Sequence, residues 1–355
     1  MGTFIRQHLS PTVFILFSVR ICLAQVVPAI FVFGDSSLDV GNNNYLLSLS
    51  RANFPPNGID FGMPTGRFTN GRTIIDIVGK SYCQELGLKD FTPPYLAPTT
   101  VGERILHGVN YASGGGGILN RTGFFFVGRL SMDTQLDYFA HTRQDIISSI
   151  GALATSKLLA KSIFVVNMGA NDFLNNYATQ TTSTPRPETF GHALISLYRA
   201  QLTKNFSREC RTSWVHPLQR EQYPSAGHDC IASQNHLASL FNTARLKPLV
   251  TELNANLEGS EFVYADVYNI LLDIIENFKS YGFVNFDSAC CHSAGRFGGL
   301  VGCVPESEIC PNRSKFVFWD AYHPSEASNL IIAKRLMDGD LNDISPQNIR
   351  KLVQG

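Results

Sequence analysis

Short apolar runs alternate with amphipathic stretches along most of this chain. Runs of consecutive apolar residues bounded by polar or glycine-rich turns predict buried β-strands, whereas apolar residues spaced three and four apart predict helices. The predicted strands span 29–33, 104–111, 162–168, 261–267 and 315–319, and the predicted helices span 74–86, 132–159, 190–202, 230–257 (kinked or split at Pro248), 270–278 and a last helix capped by Ser325. Strands that alternate with helices predict an α/β fold with a mainly parallel sheet and helices on both faces.

Two segments break this alternation. Residues 39–73 are rich in glycine, asparagine and proline, and are predicted to form a long loop. This loop either shapes the mouth of a substrate site or is a surface excursion. Residues 205–229 contain no apolar run of four, so a central strand cannot be built from them.

The N-terminal stretch differs from the rest of the chain. A short apolar core lies between Arg6 and the small residue Ala24, and this pattern predicts a secretory signal peptide over 1–24. The core is too short to span a membrane, so no integral membrane segment is expected after signal removal. The alternative is that this stretch is the first strand or helix of the protein core. Residues 25–355 are predicted to form a single domain.

The composition restricts the class of protein. The chain has 355 residues, of which 44% are hydrophobic and 16% are charged, and its formal net charge is zero. This balance is typical of a globular protein with a sizeable core. It does not match the composition of disordered, nucleic-acid-binding or polybasic membrane-surface proteins.

Glycosylation sequons and cysteines also indicate secretion. The tripeptides that begin at Asn120, Asn205 and Asn312 have the pattern of N-glycosylation sites. Four cysteines are clustered in the stretch 290–310, where disulfides are expected in an oxidising compartment. The chain has 8 cysteines, and loss of Cys22 with the signal leaves 8 − 1 = 7, so one cysteine is expected to be unpaired.

Two polar clusters follow predicted strands and could act together. Ser36 follows the strand 29–33 in the sequence Gly34-Asp35-Ser36, at the sheet edge where α/β folds place ligands. Asp320 and His323 follow the last predicted strand. If their loop curls back, Asp320 fixes the imidazole tautomer and His323 can take a proton from a hydroxyl group. A histidine of this kind is more often structural, so its pairing with a distant serine decides the interpretation.

Four consecutive glycines, 114–117, follow the predicted strand 104–111. Glycines allow backbone N–H groups to approach a ligand closely, although the alternative is a plain flexible loop. Their spacing is not the G-x-G-x-x-G of dinucleotide sites, and the chain has neither H-E-x-x-H nor C-x-x-C. The sequence therefore predicts no metal and no cofactor.

In this order, the motifs resemble those of the plant secreted GDSL esterase/lipase family, within the SGNH hydrolase superfamily. The resemblance implies a flavodoxin-like three-layer α/β/α fold with a mainly parallel sheet, which hydrolyses carboxyl esters with a Ser-His-Asp triad. The absence of G-x-S-x-G separates the chain from the α/β-hydrolase fold. The matching blocks cover nearly the whole mature chain and span 31–44, 64–72, 109–117, 169–172 and 320–324.

The resemblance also implies roles for particular residues. Ser36 would be the nucleophile, His323 the base and Asp320 the acid that orients the base. Three hydrogen-bond donors would bind the oxyanion of the transition state: the Ser36 N–H, the Asn171 side chain, and a glycine N–H at Gly114 or, alternatively, Gly115.

The chain departs from the family pattern over 207–229, where the family has an apolar strand followed by a glycine-containing turn, so one core strand is expected to be missing around 207–229. We interpret this departure as a reading-frame slip or a misassigned exon junction in the gene, a hypothesis that sequencing the transcript tests. The same error would explain the odd number of cysteines.

The sequence favours a secreted, extracellular monomer of the cell wall or apoplast that hydrolyses small-molecule or lipid esters and has no nucleic-acid partner. Two alternatives remain open. One is deacylation or acyl transfer on cell-wall carbohydrate, which the same fold permits. The other is a catalytically inactive secreted module that keeps the triad but has lost its fold or pocket.

Overall fold

A computed structural model of the chain describes residues 27–81, 90–177, 187–205, 241, 245–257, 261–298 and 302–354. The predicted signal peptide and the unusual segment 207–229 lie outside the described residues. The strands are β1 (Ile30–Gly34), β2 (Ile163–Asn167), β3 (Tyr264–Ala265), β4 (Asn285–Ala289), β5 (Cys291–His292), β6 (Glu308–Ile309), β7 (Phe316–Phe318) and β8 (Ile344–Ser345).

Helices separate most of these strands. They are α1 (Ile74–Ser81), α2 (Met132–Ile150), α3 (Ala152–Ala160), α4 (Ala170–Asp172), α5 (Pro187–Asn205), α6 (Lys247–Asn256), α7 (Val267–Glu276), α8 (Glu326–Asp338) and α9 (Ile349–Gln354). Short 3₁₀ turns span Asn42–Tyr45, Gly102–His107, Phe124–Phe126 and Arg313–Lys315, and a π-helical turn spans Phe173–Tyr177. Among the described helices, none combines the length and the apolar content needed to cross a membrane.

Parallel pairing dominates around β1. β1 pairs with β2 in parallel, with Ile30 opposite Ile163. On its other side the Val32 N–H donates to Val109, and the Tyr111 N–H donates to Val32 at 2.7 Å, so the segment 109–111 also runs parallel to β1. β4 pairs with β7 in parallel, whereas β3–β8 and β5–β6 are antiparallel. The described part of the chain therefore has a mixed α/β fold with parallel strand pairs, as the alternation of apolar patterns predicts.

Both faces of β1 are buried, because successive side chains of a strand point to opposite sides. Ile30 and Val32 lie in an apolar cluster with residues of α1, α7 and α8. Phe31 and Phe33 lie in a second cluster with residues of α2, α5 and α6. A strand covered by helices on both faces has few polar side chains until it ends, and β1 ends directly before Asp35 and Ser36.

Two predicted elements have a different form in the structure. The predicted strand 104–111 is wrong over its first half, where a 3₁₀ turn spans Gly102–His107 and only 109–111 run beside β1. Gly102 and Gly108 have φ values of 63° and 109°, and these positive angles bend the chain away from an extended path. The predicted helix 132–159 is two helices, α2 and α3, because Gly151 has a φ of 81°.

The remaining predicted elements are confirmed where they are described. β1, β2 and β7 match their apolar runs, and the Ser325 side chain caps α8 by accepting the Ser328 N–H. The predicted strand 261–267 is shorter, since only Tyr264–Ala265 pair. Pro248 lies in the first turn of α6, a position that proline tolerates. Residues 82–86 and most of 230–246 lie outside the described residues.

Two disulfides join the clustered cysteines, as expected from their positions. They connect Cys290 with Cys310 and Cys291 with Cys303. Cys290, Cys291 and Cys303 form a small buried cluster with Trp319, whose side chain is fully buried. The other cysteines lie outside the described residues, so the expected unpaired cysteine stays a prediction.

The core around β1 gives a first testable prediction. Phe33 is fully buried, stacks on Tyr111 at 4.9 Å and meets Phe139 edge-on at 5.7 Å. Phe33→Ala should lower the free energy of unfolding by about 3–5 kcal/mol, because the smaller side chain leaves a cavity between β1 and the helices packed on this face of it. Urea unfolding measures this change.

Phe124→Ala is a matched control, because the Phe124 side chain is 70% exposed. It should change the free energy of unfolding by less than about 0.5 kcal/mol. Equal effects of the two substitutions would contradict the assignment of Phe33 to the core.

Candidate active site

Ser36 stands just beyond the end of β1, and the backbone before it is held on both sides. The Gly34 N–H donates to Gln135 Oε1 at 2.9 Å, and Gln135 Nε2 donates to the Gly34 carbonyl at 2.8 Å. Gln135 is fully buried on α2. The Asp35 N–H donates to the Asn167 carbonyl at 3.2 Å, at the end of β2. These bonds fix the direction in which the chain leaves the sheet.

The loop after β7 curls back on itself, which brings residues three apart into contact. The Trp319 N–H donates to the His323 carbonyl at 2.8 Å, and the Ser325 N–H donates to the Val317 carbonyl at 2.9 Å. Asp320 Oδ1 accepts the backbone N–H groups of Tyr322 and His323, each at 2.8 Å. The carboxylate therefore organises its own loop.

Ser36, His323 and Asp320 form a continuous row of hydrogen bonds. His323 Nε2 lies 2.7 Å from Ser36 Oγ, although the two residues are 287 positions apart. His323 Nδ1 lies 2.8 Å and 2.9 Å from the two oxygens of Asp320. An ionised Asp320 requires a proton on Nδ1, which leaves Nε2 free to accept the serine proton. This arrangement can activate a hydroxyl group as a nucleophile.

The electrostatics of the row favour an ionised Asp320. Burial by itself would raise the pKa of Asp320, but the charge of His323 and the N–H groups of His323 and Tyr322 outweigh burial and hold this pKa below its ordinary value. Asp320 is 3% exposed and His323 is 7% exposed, so water competes little for their hydrogen bonds.

The glycine stretch 114–117 and the α4 region approach each other near this row. Asn171 Nδ2 donates to the Gly116 carbonyl at 2.9 Å, and Asn175 Nδ2 donates to Asn171 Oδ1 at 2.6 Å. The next residue, Asp172, accepts the Ile118 N–H at 2.8 Å. The amide of Asn171 is thereby fixed beside the glycine loop.

Comparison with known proteins identifies the family. The family model described as GDSL-like Lipase/Acylhydrolase matches residues 30–336. The chain belongs to this family.

Curated relatives agree with this membership. The chain is 54% identical to the GDSL esterase/lipase At4g16230 of Arabidopsis thaliana over 96% of this chain and 95% of the relative. It is 49% identical to the GDSL esterase/lipase At3g50400 of the same plant, over 92% of this chain and 91% of that protein. It is 46% identical to the Arabidopsis GDSL esterase/lipase At2g23540, over 91% and 87% of the two chains. The resemblance inferred from the motifs is confirmed, and the protein is a carboxylic ester hydrolase.

In this GDSL hydrolase, the block 64–72 connects the loop that follows Ser36 with the segment that follows His323. Thr69 Oγ1 donates to the Pro324 carbonyl at 3.1 Å, and the Glu326 N–H donates to Asn70 Oδ1 at 2.9 Å. Arg72 forms an ion pair with Glu326. The block thus holds the start of α8, and with it the His323 loop, against the segment that follows Ser36. The sequence marked this block only as a family motif and gave it no role.

Phe68 in the same block lies directly against the candidate base. Its ring centroid is 5.1 Å from that of His323. The neighbouring Arg67 pairs with Asp76 through two bonds of 2.7 Å, and both side chains are buried. The ion pair fixes the backbone that carries Phe68, and Phe68 limits the rotation of the imidazole ring.

Part of the loop after Ser36 packs into the molecule, because the buried side chains of Asn42 and Asn43 bond the segment 110–114. Asn42 Nδ2 donates to the Asn110 and Ala112 carbonyls at 2.8 and 2.9 Å. Asn43 Nδ2 donates to the Gly114 carbonyl at 2.9 Å. These asparagines hold the loop against the glycines, a function that their position in an asparagine-rich stretch did not reveal.

Asp39 connects the same two segments through its carboxylate. It accepts the N–H groups of Gly41 and Asn42 at 2.7 and 2.8 Å, and that of Gly114 at 3.0 Å. Burial raises the pKa of Asp39 to about 6, although these N–H groups partly oppose the increase. Burial likewise raises the pKa of Asp172 to about 6.

A third buried carboxyl group with a raised pKa, that of Asp35, lies next to the candidate nucleophile. Ser37 Oγ donates to Asp35 Oδ1 at 2.6 Å, and Asn167 Nδ2 donates to Ser37 Oγ at 2.8 Å. Burial raises the pKa of Asp35, while the hydrogen bonds from Ser37 and the charge of His323 act in the opposite direction. The Ser37 hydroxyl therefore stabilises the ionised form of Asp35 and links it to the end of β2.

The predicted site residues fall into three groups in the structure. Ser36, Asp320 and His323 are brought together, and Asn171 bonds the glycine loop that contains Gly114. The sequon residues Asn120 and Asn312 are exposed, and Asn205 ends α5. In the described residues, no group of three or more His, Cys, Asp or Glu side chains could hold a metal ion.

The raised pKa values predict how stability changes with pH. Between about pH 4 and about pH 6, folded Asp39 and Asp172 retain protons that the unfolded chain has released, so stability falls as pH rises through this range. From about pH 5 to about pH 7, each group should lower the free energy of unfolding by about 1 kcal/mol. Thermal denaturation should give a higher Tm at the lower pH.

Asp39→Asn removes one of these titrations, and should weaken the pH dependence of Tm while lowering Tm itself, since an amide accepts fewer N–H groups. Asp340→Asn is the control, because Asp340 is exposed and its pKa is lowered by the Asn342 N–H. A pH dependence that Asp39→Asn leaves intact would refute the assignment to Asp39.

Proposed function

We propose that this protein is a secreted serine esterase in which Ser36 is the nucleophile, His323 the general base and Asp320 the residue that orients the base. The 2.7 Å separation of His323 Nε2 and Ser36 Oγ is the observation that carries the proposal. A histidine in this position can take the serine proton as Oγ attacks the ester carbonyl.

Acylation follows from this geometry. Ser36 Oγ forms a bond with the carbonyl carbon while its proton moves to His323 Nε2. The tetrahedral intermediate then collapses, the C–O bond to the alcohol breaks, and the alkoxide leaves with the proton from His323. Asp320, ionised because His323 and two N–H groups lower its pKa, stabilises the imidazolium that exists between these steps.

Deacylation repeats the sequence with water. His323 takes a proton from a water molecule as the water oxygen attacks the carbonyl carbon of acyl-Ser36. Collapse of the second intermediate breaks the Ser36 ester bond, returns the proton to Oγ and releases the carboxylic acid. The enzyme is regenerated with the net consumption of one water molecule per ester.

The oxyanion is proposed to be bound by the Ser36 N–H, the Asn171 side chain and one glycine N–H. Asn171 Nδ2 uses one proton on Gly116 and retains a second. The Gly114 N–H donates to Asp39, which favours the neighbouring Gly115, the alternative that the sequence also allowed. Within the described residues, no hydrogen bond engages the Gly115 N–H.

The finer architecture belongs to the same proposal. Burial of both faces of β1 supports a flavodoxin-like three-layer α/β/α arrangement, formed by a single domain over 25–355 after removal of a signal peptide at 1–24. The two disulfides support passage through an oxidising compartment and an extracellular location, with glycans at Asn120, Asn205 and Asn312. We expect the mature protein to be a monomer.

The hydrogen-bonded row argues against an inactive module that has lost its fold, because the folded chain brings Ser36 and His323 within 2.7 Å of each other although they are 287 positions apart. The substrates proposed are small-molecule or lipid esters. Acylated cell-wall carbohydrate, the alternative substrate class, contains the same ester bond and can be compared directly in the assay below.

Ser36→Ala should abolish turnover of p-nitrophenyl acetate and butyrate by the purified protein, with a loss of at least about 10⁴-fold in kcat. Ser37→Ala is the matched control, since its hydroxyl bonds Asp35 rather than His323, and should retain measurable turnover. A folded Ser36→Ala protein as active as the parent, or a folded parent without turnover on esters, would refute the proposal.

Asn171→Ala should lower kcat by about 10²- to 10³-fold with little change in KM, because an oxyanion donor acts on the transition state rather than on the bound substrate. Asn175→Ala removes one bond to Asn171 but leaves the Asn171 amide and its bond to the Gly116 carbonyl, and should lose less than about tenfold. Steady-state kinetics on p-nitrophenyl butyrate test both variants. A kcat for Asn171→Ala within about twofold of the parent would remove this residue from the oxyanion site.

A further inference from the structure

Exposed apolar side chains are concentrated beside the glycine loop. In the described part of the chain, thirteen large apolar side chains are exposed, and six of them lie on two short segments, 45–49 and 124–127. We call these six side chains the apolar rim: Tyr45, Leu47, Leu49, Phe124, Phe125 and Val127, which are 42–83% exposed. Single exposed apolar residues are ordinary, whereas a cluster of this kind marks an interaction surface.

The two segments of the rim form one surface, because their backbones pair. The Leu49 N–H donates to the Phe126 carbonyl at 2.9 Å, and Ser48 forms an antiparallel bridge with Val127. Val127 has a φ of 67°, a strained conformation for a β-branched residue, and its side chain is 58% exposed. The structure thus holds an apolar side chain outward at a conformational cost.

The rim borders the candidate active site directly. A Cβ atom added to Gly115 would lie 2.6 Å from the Phe126 ring, so Phe126 packs on the glycine loop. A Cβ atom added to Gly114 would lie 2.6 Å from Phe68, the residue that contacts His323, and 2.7 Å from Ser50 Oγ. A hydrophobic ester bound across the rim would therefore lie close to Ser36.

Arginine is the commoner charged residue near the rim, with Asp133 on the Arg129 side, where it accepts from Asn120 Nδ2. Residues 40–59 and 104–132 contain no Asp or Glu, whereas Arg51, Arg121 and Arg129 are in these segments. Arg51 donates to the Leu46 carbonyl, and Arg129 Nε donates to the Thr122 carbonyl at 3.0 Å, so both are held beside the rim. An apolar surface edged with arginine is complementary to a lipid layer that carries anionic groups.

We propose that the apolar rim docks this protein onto an anionic lipid surface and so presents lipid-phase esters to Ser36. The proposal depends on the proposed esterase function for its catalytic consequence but not for binding itself. Hydrolysis of long-chain esters leaves carboxylates in the lipid phase, and these would strengthen docking as the reaction proceeds.

Binding can be measured without hydrolysis. The full-length Ser36→Ala protein is mixed with vesicles of phosphatidylcholine and phosphatidylglycerol in equal amounts, and co-flotation gives the bound fraction. We expect binding to these vesicles, weaker binding to pure phosphatidylcholine, and weakening by salt, since the arginines are screened as ionic strength rises. Equal binding to both vesicle types would overturn the assignment to an anionic surface.

The rim itself is tested by combining Leu47→Ser, Leu49→Ser and Phe124→Ser in the Ser36→Ala protein. Their side chains are 83%, 76% and 70% exposed, so the fold should persist, as thermal denaturation can verify. The vesicle partition constant should fall at least about tenfold, because these side chains no longer enter the lipid.

The matched control combines Leu153→Ser, Val284→Ser and Leu341→Ser, three sites outside the rim that are 72%, 67% and 62% exposed. It should bind like the parent. Binding that resists the rim substitutions, binding lost equally in the control, or a dimer in solution that the rim substitutions dissociate would each overturn the proposal.

The catalytic consequence is tested with Ser36 restored. The ratio of activity on p-nitrophenyl palmitate in anionic mixed micelles to activity on dissolved p-nitrophenyl butyrate should fall at least about tenfold in the rim variant but not in the control. An unchanged ratio overturns the catalytic part of the proposal. A parent protein that binds vesicles but hydrolyses neither ester would instead refute the esterase function.

Discussion

Buried backbone groups at strand ends and in loops need hydrogen-bond partners, and the region around Ser36 depends on meeting this requirement with side chains. Gln135 bonds both the N–H and the carbonyl of Gly34. Asn42 donates to the carbonyls of Asn110 and Ala112, and Asp39 accepts N–H groups from its own loop and from Gly114. An unpaired buried backbone group would cost about 1–3 kcal/mol, so each of these amides and carboxylates stabilises a loop that repetitive structure cannot.

The same requirement explains why the site contains so many buried carboxyl groups with different electrostatic behaviour. The hydrogen bonds that Asp39 and Asp172 accept come from uncharged N–H and O–H groups, and burial raises the pKa of both to about 6. Asp320 is buried to a similar extent, but the charge of His323 and the surrounding N–H groups hold its pKa below the ordinary value. The partner, rather than the depth of burial, therefore decides which carboxylate stays ionised and can orient a base.

Long-range hydrogen bonds hold the segment 57–72 against the segment 319–329. The block 64–72 bonds Pro324, Glu326 and Asn329, and Trp319 Nε1 donates to Asn57 at 3.0 Å. The disulfides pack on Trp319, directly before Asp320. The His323 loop is thus held from the sheet, from the disulfide cluster and from the segment after Ser36. Such support restricts the motion of the His323 loop relative to Ser36.

Local patterns predicted the parts of this protein that depend on neighbouring residues. The apolar runs of β1, β2 and β7 are buried strands because such runs are stable only inside a core, and Ser325 caps α8 through a bond to the Ser328 N–H three residues later. The order of the motifs was sufficient to recognise the family. It was also sufficient to select Ser36, Asp320 and His323 as the residues to be tested.

Tertiary structure decided what depends on segments that are distant along the chain. The pattern of 104–108 resembled a strand, but the positive φ angles of Gly102 and Gly108 produce a 3₁₀ turn. The pairing of the cysteines, the burial of Asn42 and the contact of Phe68 with His323 arise only when separate segments pack together. The direction of the Gly114 N–H also depends on a distant segment, because this group donates to Asp39, 75 positions away. Sequence patterns record which residues prefer to be buried, whereas the partner that each buried polar group finds is a property of the folded chain.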